Sequence, residues 1–128
     1  MTGRIYQVDA EQVPGLVNLP EDRLAGLLSA ANQSREILAG FWDDELLCLI
    51  GFVPLTFVSN TAYIWAYTTE AAEDHKLIYG RYAKQVVAKA LSLYDEILGD
   101  CYSDNSRRWL VSLGAEFVST KVFRIRRT

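Results

Sequence analysis

His75 is the single histidine of this 128-residue chain, and it stands beside Lys76 behind an acidic run, Glu70-Ala71-Ala72-Glu73-Asp74. An imidazole next to an ammonium can accept a proton, or the two can donate together to a phosphate. The three carboxylates ahead of them favour the opposite, since acidic residues at a helix start satisfy the positive end of its dipole and repel an anion. A lone histidine at such a place is more often a solvated residue than a base, so His75 makes no catalytic pair by itself. Tyr102 and Asp104 offer a second place for proton transfer, a phenol and a carboxylate in the short polar segment after an apolar run. In such a segment both also read as ordinary loop residues. Cys48 and Cys101 lie in extended apolar runs without the paired spacing of metal ligands, so two buried, reduced thiols are expected, with no disulfide and no metal.

These residues are placed by elements that the periodicity marks. From about Asp74 to Tyr94, Ile78, Tyr82, Val86, Ala90 and Tyr94 recur every four residues with Tyr79, Ala83, Val87 and Leu91 beside them, which predicts a long amphipathic helix with Lys76, Lys84 and Lys89 toward solvent. Ala62 to Tyr67 before it is rich in aromatic residues and reads as a strand, as does Glu96 to Tyr102 after it. Earlier, Arg4 to Val8 is a strand and Asp9-x-x-Gln12 a capping box. Pro20 opens a helix carrying Leu24, Leu27, Leu28 and Ala31 on one face. Ile37 to Trp42 and Leu46 to Val53 make a hairpin around Asp43-Asp44-Glu45, with Gly51 expected at a bulge and Thr56 to Asn60 a loop. Last comes Asn105 to Phe117, in which Trp109, Leu110 and Leu113 sit at helical spacing and Asn105 or Ser106 can cap the start. Gly114 is placed for a left-handed stop, and extended chain resumes at Glu116. Phe123 and Ile125 alternate with Arg124 and Arg126 in a half-buried strand.

The order is β, α, α, β, β, β, α, β, α, β, with room for one more strand. A hairpin-containing sheet with one long crossover helix implies a mixed α/β sandwich with a parallel, right-handed crossover, and a ferredoxin-like sandwich also satisfies the pattern. Half the residues are hydrophobic and 23% charged, which fits one domain over 1–128. With a net charge of −3, nucleic acid is not the expected partner. No run is long and apolar enough for a membrane span and the first residues lack a signal peptide, so a cytoplasmic protein is expected. Trp42, Trp65 and Trp109 are expected to meet in one core. Seven tyrosines suit either that core or an interface, with a second copy or with another protein.

The closing unit, Asn105-Ser-Arg-Arg-Trp109-Leu110 through Leu113-Gly114 to Phe117, resembles the ending of the GNAT superfamily of N-acetyltransferases, an asparagine, a helix with an aromatic pair, then Leu-Gly-Phe. Two residues separate Gly114 from Phe117 here, a variant similar to a phage branch that includes the internal virion protein A family of short-tailed phages. The resemblance runs from about Glu36 to the C-terminus. It implies a GNAT-like acyl-CoA N-acyltransferase fold, α/β with a central mixed sheet and helices on both faces, and acetyl-CoA as cofactor. The cofactor would be held between the fourth and fifth strands by Trp65, Ala66, Tyr67, Thr68, Thr69, His75, Lys76 and Asn105, with a small-molecule or protein amine as acceptor. Two departures weaken that chemistry. The family's phosphate loop, [Q/R]-x-x-G-x-[G/A], corresponds to Thr68 to Lys76, which has no glycine and three carboxylates. Leu110 occupies the position where many members carry a proton-donating tyrosine, leaving that role to water or Tyr102. The resemblance therefore implies a phage-type protein with degenerate catalysis, acting through phage or host protein contacts in the infected bacterium or in the virion. An active N-acetyltransferase and a non-catalytic acyl-CoA sensor are the alternatives.

Overall fold

A computed structural model describes residues 3–56, 60–101 and 104–127, with the side chains of all of these except 104–106 and 109. Strand β1 (Gly3–Val8) leads through the capping box into a short 3-10 turn and helix α1 (Val13–Leu16), and then to helix α2 (Glu21–Gln33). Within the box, the Asp9 amide donates to Oε1 of Gln12 at 2.8 Å. Strands β2 (Glu36–Trp42), β3 (Glu45–Pro54) and β4 (Thr61–Thr68) form a meander, followed by α3 (Glu70–Asp74), α4 (Lys76–Leu93) and β5 (Glu96–Asp100). Helix α5 (Asp104–Ser112) and strands β6 (Glu116–Phe117) and β7 (Val122–Arg126) close the chain. The seven strands form one sheet in the order β1-β2-β3-β4-β5-β7-β6, antiparallel except for the parallel β4–β5 pair. This is the mixed α/β fold with the parallel crossover that the sequence implies.

Each face of the sheet buries its own cluster. On one face α4 lays Tyr82, Ala83, Val86 and Ala90 against Cys48, Ile50 and Phe52 of β3 and Ile97 of β5, and Leu110 of α5 joins them. On the other, Leu27, Leu28 and Ala31 of α2 pack with Val13 against Ile37, Ala39 and Leu49. Residues 47–52 are buried without interruption, as expected of a central strand covered on both faces. Both cysteines are buried, although Cys101 lies just past β5 rather than within it.

Three local expectations are corrected. The bulge is not at Gly51: the β2–β3 register steps from Gly40↔Cys48 to Phe41↔Leu46, which leaves Leu47 as the extra residue. Gly51 instead admits the Trp65 indole, because a Cβ there would lie 2.5 Å from the ring. The long helix does not run unbroken from Asp74, since His75 departs from helical geometry at φ −130°, ψ 49° and separates α3 from α4. Finally, Trp42 packs in the α4-side cluster and Trp65 in the α2-side cluster, so the indoles do not share one core. Trp109 and the capping oxygens of Asn105 and Ser106 lie outside the described side chains.

The hairpin turn narrows to two residues, Asp43 and Asp44, with φ of 50° and 68°, the left-handed pair of a tight β-turn. Gly114 has φ +94° and ends α5 as the spacing predicts, while a Cβ built there meets no atom within 4 Å. The cost of a side chain at 114 is therefore backbone strain alone. Gly114→Ala should lower stability by about 1–2 kcal/mol, with Gly114→Val at or above the upper end; unchanged melting temperatures for both would show that the left-handed turn is not required.

Candidate active site

Strand β4 is paired with β3 from Ala62↔Pro54 to Thr68↔Cys48, yet with β5 over only Thr61↔Glu96, Ala62↔Ile97 and Tyr63↔Leu98. Beyond Tyr63 the two parallel strands part, and among the described residues no strand pairs with 64–68 on their β5 side. A cavity of about 550 Å³ opens into this gap. Its wall is formed by Ile64, Ala66 and Thr68 of β4, by Tyr79, Ala83 and Val87 of α4, and by Leu110, Leu113 and Phe123 from the closing segment. Asp100 is the only charged side chain among the described lining residues.

Small and anchored residues hold the gap in shape. At Gly99 a Cβ would meet the Phe123 ring and lie 2.9 Å from Cγ2 of Ile64, so the absence of a side chain lets these two fill the base of the cleft. On the α2 face the Trp65 indole N–H donates to Oγ of Ser34 at 2.7 Å, which fixes β4 to the end of α2. The Tyr63 hydroxyl donates to Oδ1 of Asp100, joining β4 and β5 at the last residue of β4 whose backbone pairs with β5.

At the far end of β4 the chain turns into α3. Thr69 is spent on this turn: its amide donates to the Leu47 carbonyl at 3.0 Å and its hydroxyl to the Leu46 carbonyl at 2.6 Å. His75 lies at the start of α4 with its ring 5.5 Å from that of Trp42, and no side chain caps that helix start. This start carries the positive end of the dipole of an 18-residue helix, which favours an anion. Glu70 and Glu73 are exposed in the first turn of α3, however, and the Lys76 ammonium is paired with Glu73 at 3.7 Å.

The predicted site residues therefore divide. Trp65, Ala66 and Thr68 line the cavity. Tyr67 packs with the α2-side cluster, Thr69 is bound to β3, and His75 and Lys76 gather at the start of α4. Asp104 and Asn105 occupy the first turn of α5, with side chains outside those described, and Tyr102 lies outside the described residues. Leu110 is 8% exposed and part of the core. Sequence reasoning missed Tyr63, Tyr79 and Asp100 as site residues. Tyr79 had been counted only as part of a helix face. Tyr63 and Asp100 become neighbours through the register Tyr63↔Leu98, for which a parallel pair with a long crossover leaves no local signal.

The seven-stranded mixed sheet, the parallel pair that parts, and the crossover helix starting beside it are the GNAT acetyltransferase fold. The chain superposes on the IAA acetyltransferase from Bacillus cereus with a TM-score of 0.76 over 98% of this chain and 100% of the other, at 8% identity. Against a Bacillus subtilis acetyltransferase in complex with CoA the TM-score is 0.74, over 99% and 100% of the two chains, at 12% identity. A spermidine N-acetyltransferase chimera from Vibrio cholerae and human gives 0.66, over 97% and 95%, at 9% identity. At such identities the likeness establishes the fold. No family model matches the sequence, and no curated protein does.

Burial pushes the Tyr79 phenol up to about 12, with the nearby Cys48 thiol adding to it, and pushes that thiol up to about 11. The unfolded chain loses a tyrosine proton near pH 10, before the folded chain does. The Tyr79 contribution is therefore complete below pH 10 and is lost as pH rises toward 12. Stability measured by denaturant melts should fall over that interval, and Tyr79→Phe should flatten the fall; an equal slope in the variant would rule this out.

Proposed function

We propose that the cleft between β4 and β5 takes an acyl-CoA, acetyl-CoA first, and that the chain serves acetyl transfer to an amine with weak catalytic assistance. One observation carries this reading: β4 presents an unpaired edge from Ile64 to Thr68 along an apolar cavity of about 550 Å³. An amide-bearing arm could pair with such an edge as a missing strand would, and Ile64, Leu110 and Phe123 would hold its thioester end. When bound, the thioester supplies an acyl carbon whose bond to sulfur breaks as one to the amine nitrogen forms, the nitrogen giving up a proton and the sulfur leaving as thiol. The apolar wall excludes water from that carbon. Leu110 gives no proton, and the phenol that lines the cleft, Tyr79, holds its own tightly.

The fit is good along the arm and poor at the phosphate end, where Glu70 and Glu73 oppose an anion. That contrast favours a second reading, the phage-type one, in which the scaffold acts through contacts with phage or host proteins in virion assembly or in the infected cell. Leu77, 84% exposed in the first turn of α4, would suit a protein contact.

Isothermal titration separates the two. Acetyl-CoA should bind in the micromolar range, and Ala66→Phe, which fills the cleft from an exposed strand position, should weaken it about tenfold or more. No heat and no thermal stabilisation at millimolar acetyl-CoA would leave the scaffold reading standing. The double change Glu70→Gln with Glu73→Gln should tighten CoA binding, roughly threefold at low salt and less as salt rises. No gain at low salt would show that the phosphates bind away from α3.

A further inference from the structure

We propose that Asp100 and Tyr63 form the acceptor subsite, a corner that takes a primary ammonium carried on an apolar body. This rests on the acyl-transfer reading of the same cleft. The described lining contains one charged side chain, a carboxylate, and is otherwise apolar or aromatic apart from hydroxyl and thiol groups. Asp100 is exposed at the end of β5, so its charge stands at the mouth of the cavity rather than inside it. The Tyr63 hydroxyl donates to Oδ1 of Asp100, which orients the carboxylate. A carboxylate has about four acceptor positions and an ammonium three donors, so a primary amine can bridge both oxygens. Two half-buried rings of the lining, Tyr63 and Trp65, add faces that attract a cation and cover its apolar body.

The one negative charge among the described lining residues also selects on the acyl side. A neutral short acyl group can share the cavity with an ammonium at Asp100, whereas an acyl group ending in a carboxylate would meet a like charge at the mouth.

The test uses the intact chain and three probes of equal length: n-hexylamine, 1-hexanol and hexanoate, titrated with and without acetyl-CoA. Hexylamine should bind about tenfold tighter than hexanol, and hexanoate weakest. Asp100→Asn should erase the preference for the amine while Asp100→Glu retains most of it, with acetyl-CoA heats and the melting temperature measured on the same samples to control for folding. The proposal is overturned if wild-type protein binds amine and alcohol alike, if Asp100→Asn keeps the preference, or if acetyl-CoA binds and no amine does. An amine preference that depends on Asp100 in protein that ignores acetyl-CoA would uphold the subsite and remove the acyl-CoA reading.

Discussion

Strand β4 is hydrogen-bonded to β3 along its length and to β5 over three residues, and this unequal pairing governs the arrangement around it. A strand released on one side must be held firmly on the other or it would shift to close the gap. The β3 ladder, the Trp65 indole bound to Ser34, and Thr69 bound to the Leu46 and Leu47 carbonyls provide that hold. On the opposite bank, β5 is secured by β7 through all five of its residues, from Glu96↔Arg126 to Asp100↔Val122. Two firmly held banks that pair over only three residues leave a preformed cleft between them, since neither strand can shift to close it.

Electrostatics divides the cleft along its length. The middle is apolar, one end carries the Asp100 carboxylate, and the other lies under the carboxylates of α3. The positive end of α4 is present, but Lys76, which could strengthen it, is turned to Glu73 in an exposed pair of little energetic weight. The cleft is thus apolar along its middle, while the carboxylates nearest its two ends make both ends unfavourable to an anion. Shape is set by the core and changes slowly with sequence, whereas exposed charge on a five-residue helix can change at almost no cost in stability.

Much of this was readable from sequence where a local rule governs. The Asp9–Gln12 box, the left-handed stop at Gly114, the aspartate turn at 43 and 44, and the amphipathic run through Tyr82 and Val86 depend on neighbours within four residues. The misses have long-range causes. His75 interrupts a run that reads as helical, and its ring lies 5.5 Å from that of Trp42, a residue 33 positions earlier, a contact of which the sequence carries no mark. Gly51 looked like a bulge because its true reason, the face of Trp65, lies on another strand. The tryptophans were assigned to one core since hydrophobicity does not say which side of a sheet a residue faces; β-strand parity does, once the register is known. The Tyr63–Asp100 contact escaped for the same reason.

The parallel pairing also bears on how the molecule assembles. Thr61 meets Glu96 only after the whole of α3 and α4 has been made and folded back over the sheet, whereas the β2–β3–β4 meander needs only short turns. Contacts distant in sequence form late because closing the chain between them costs entropy that nothing yet repays. The meander can therefore nucleate without the cleft, and the cleft comes into being with the last long-range step, when β5 and the closing segment dock. A chain halted before that step would expose the Ile50, Ile64 and Phe52 side of the meander, and it is during this interval, rather than in the finished fold, that the protein is most open to aggregation.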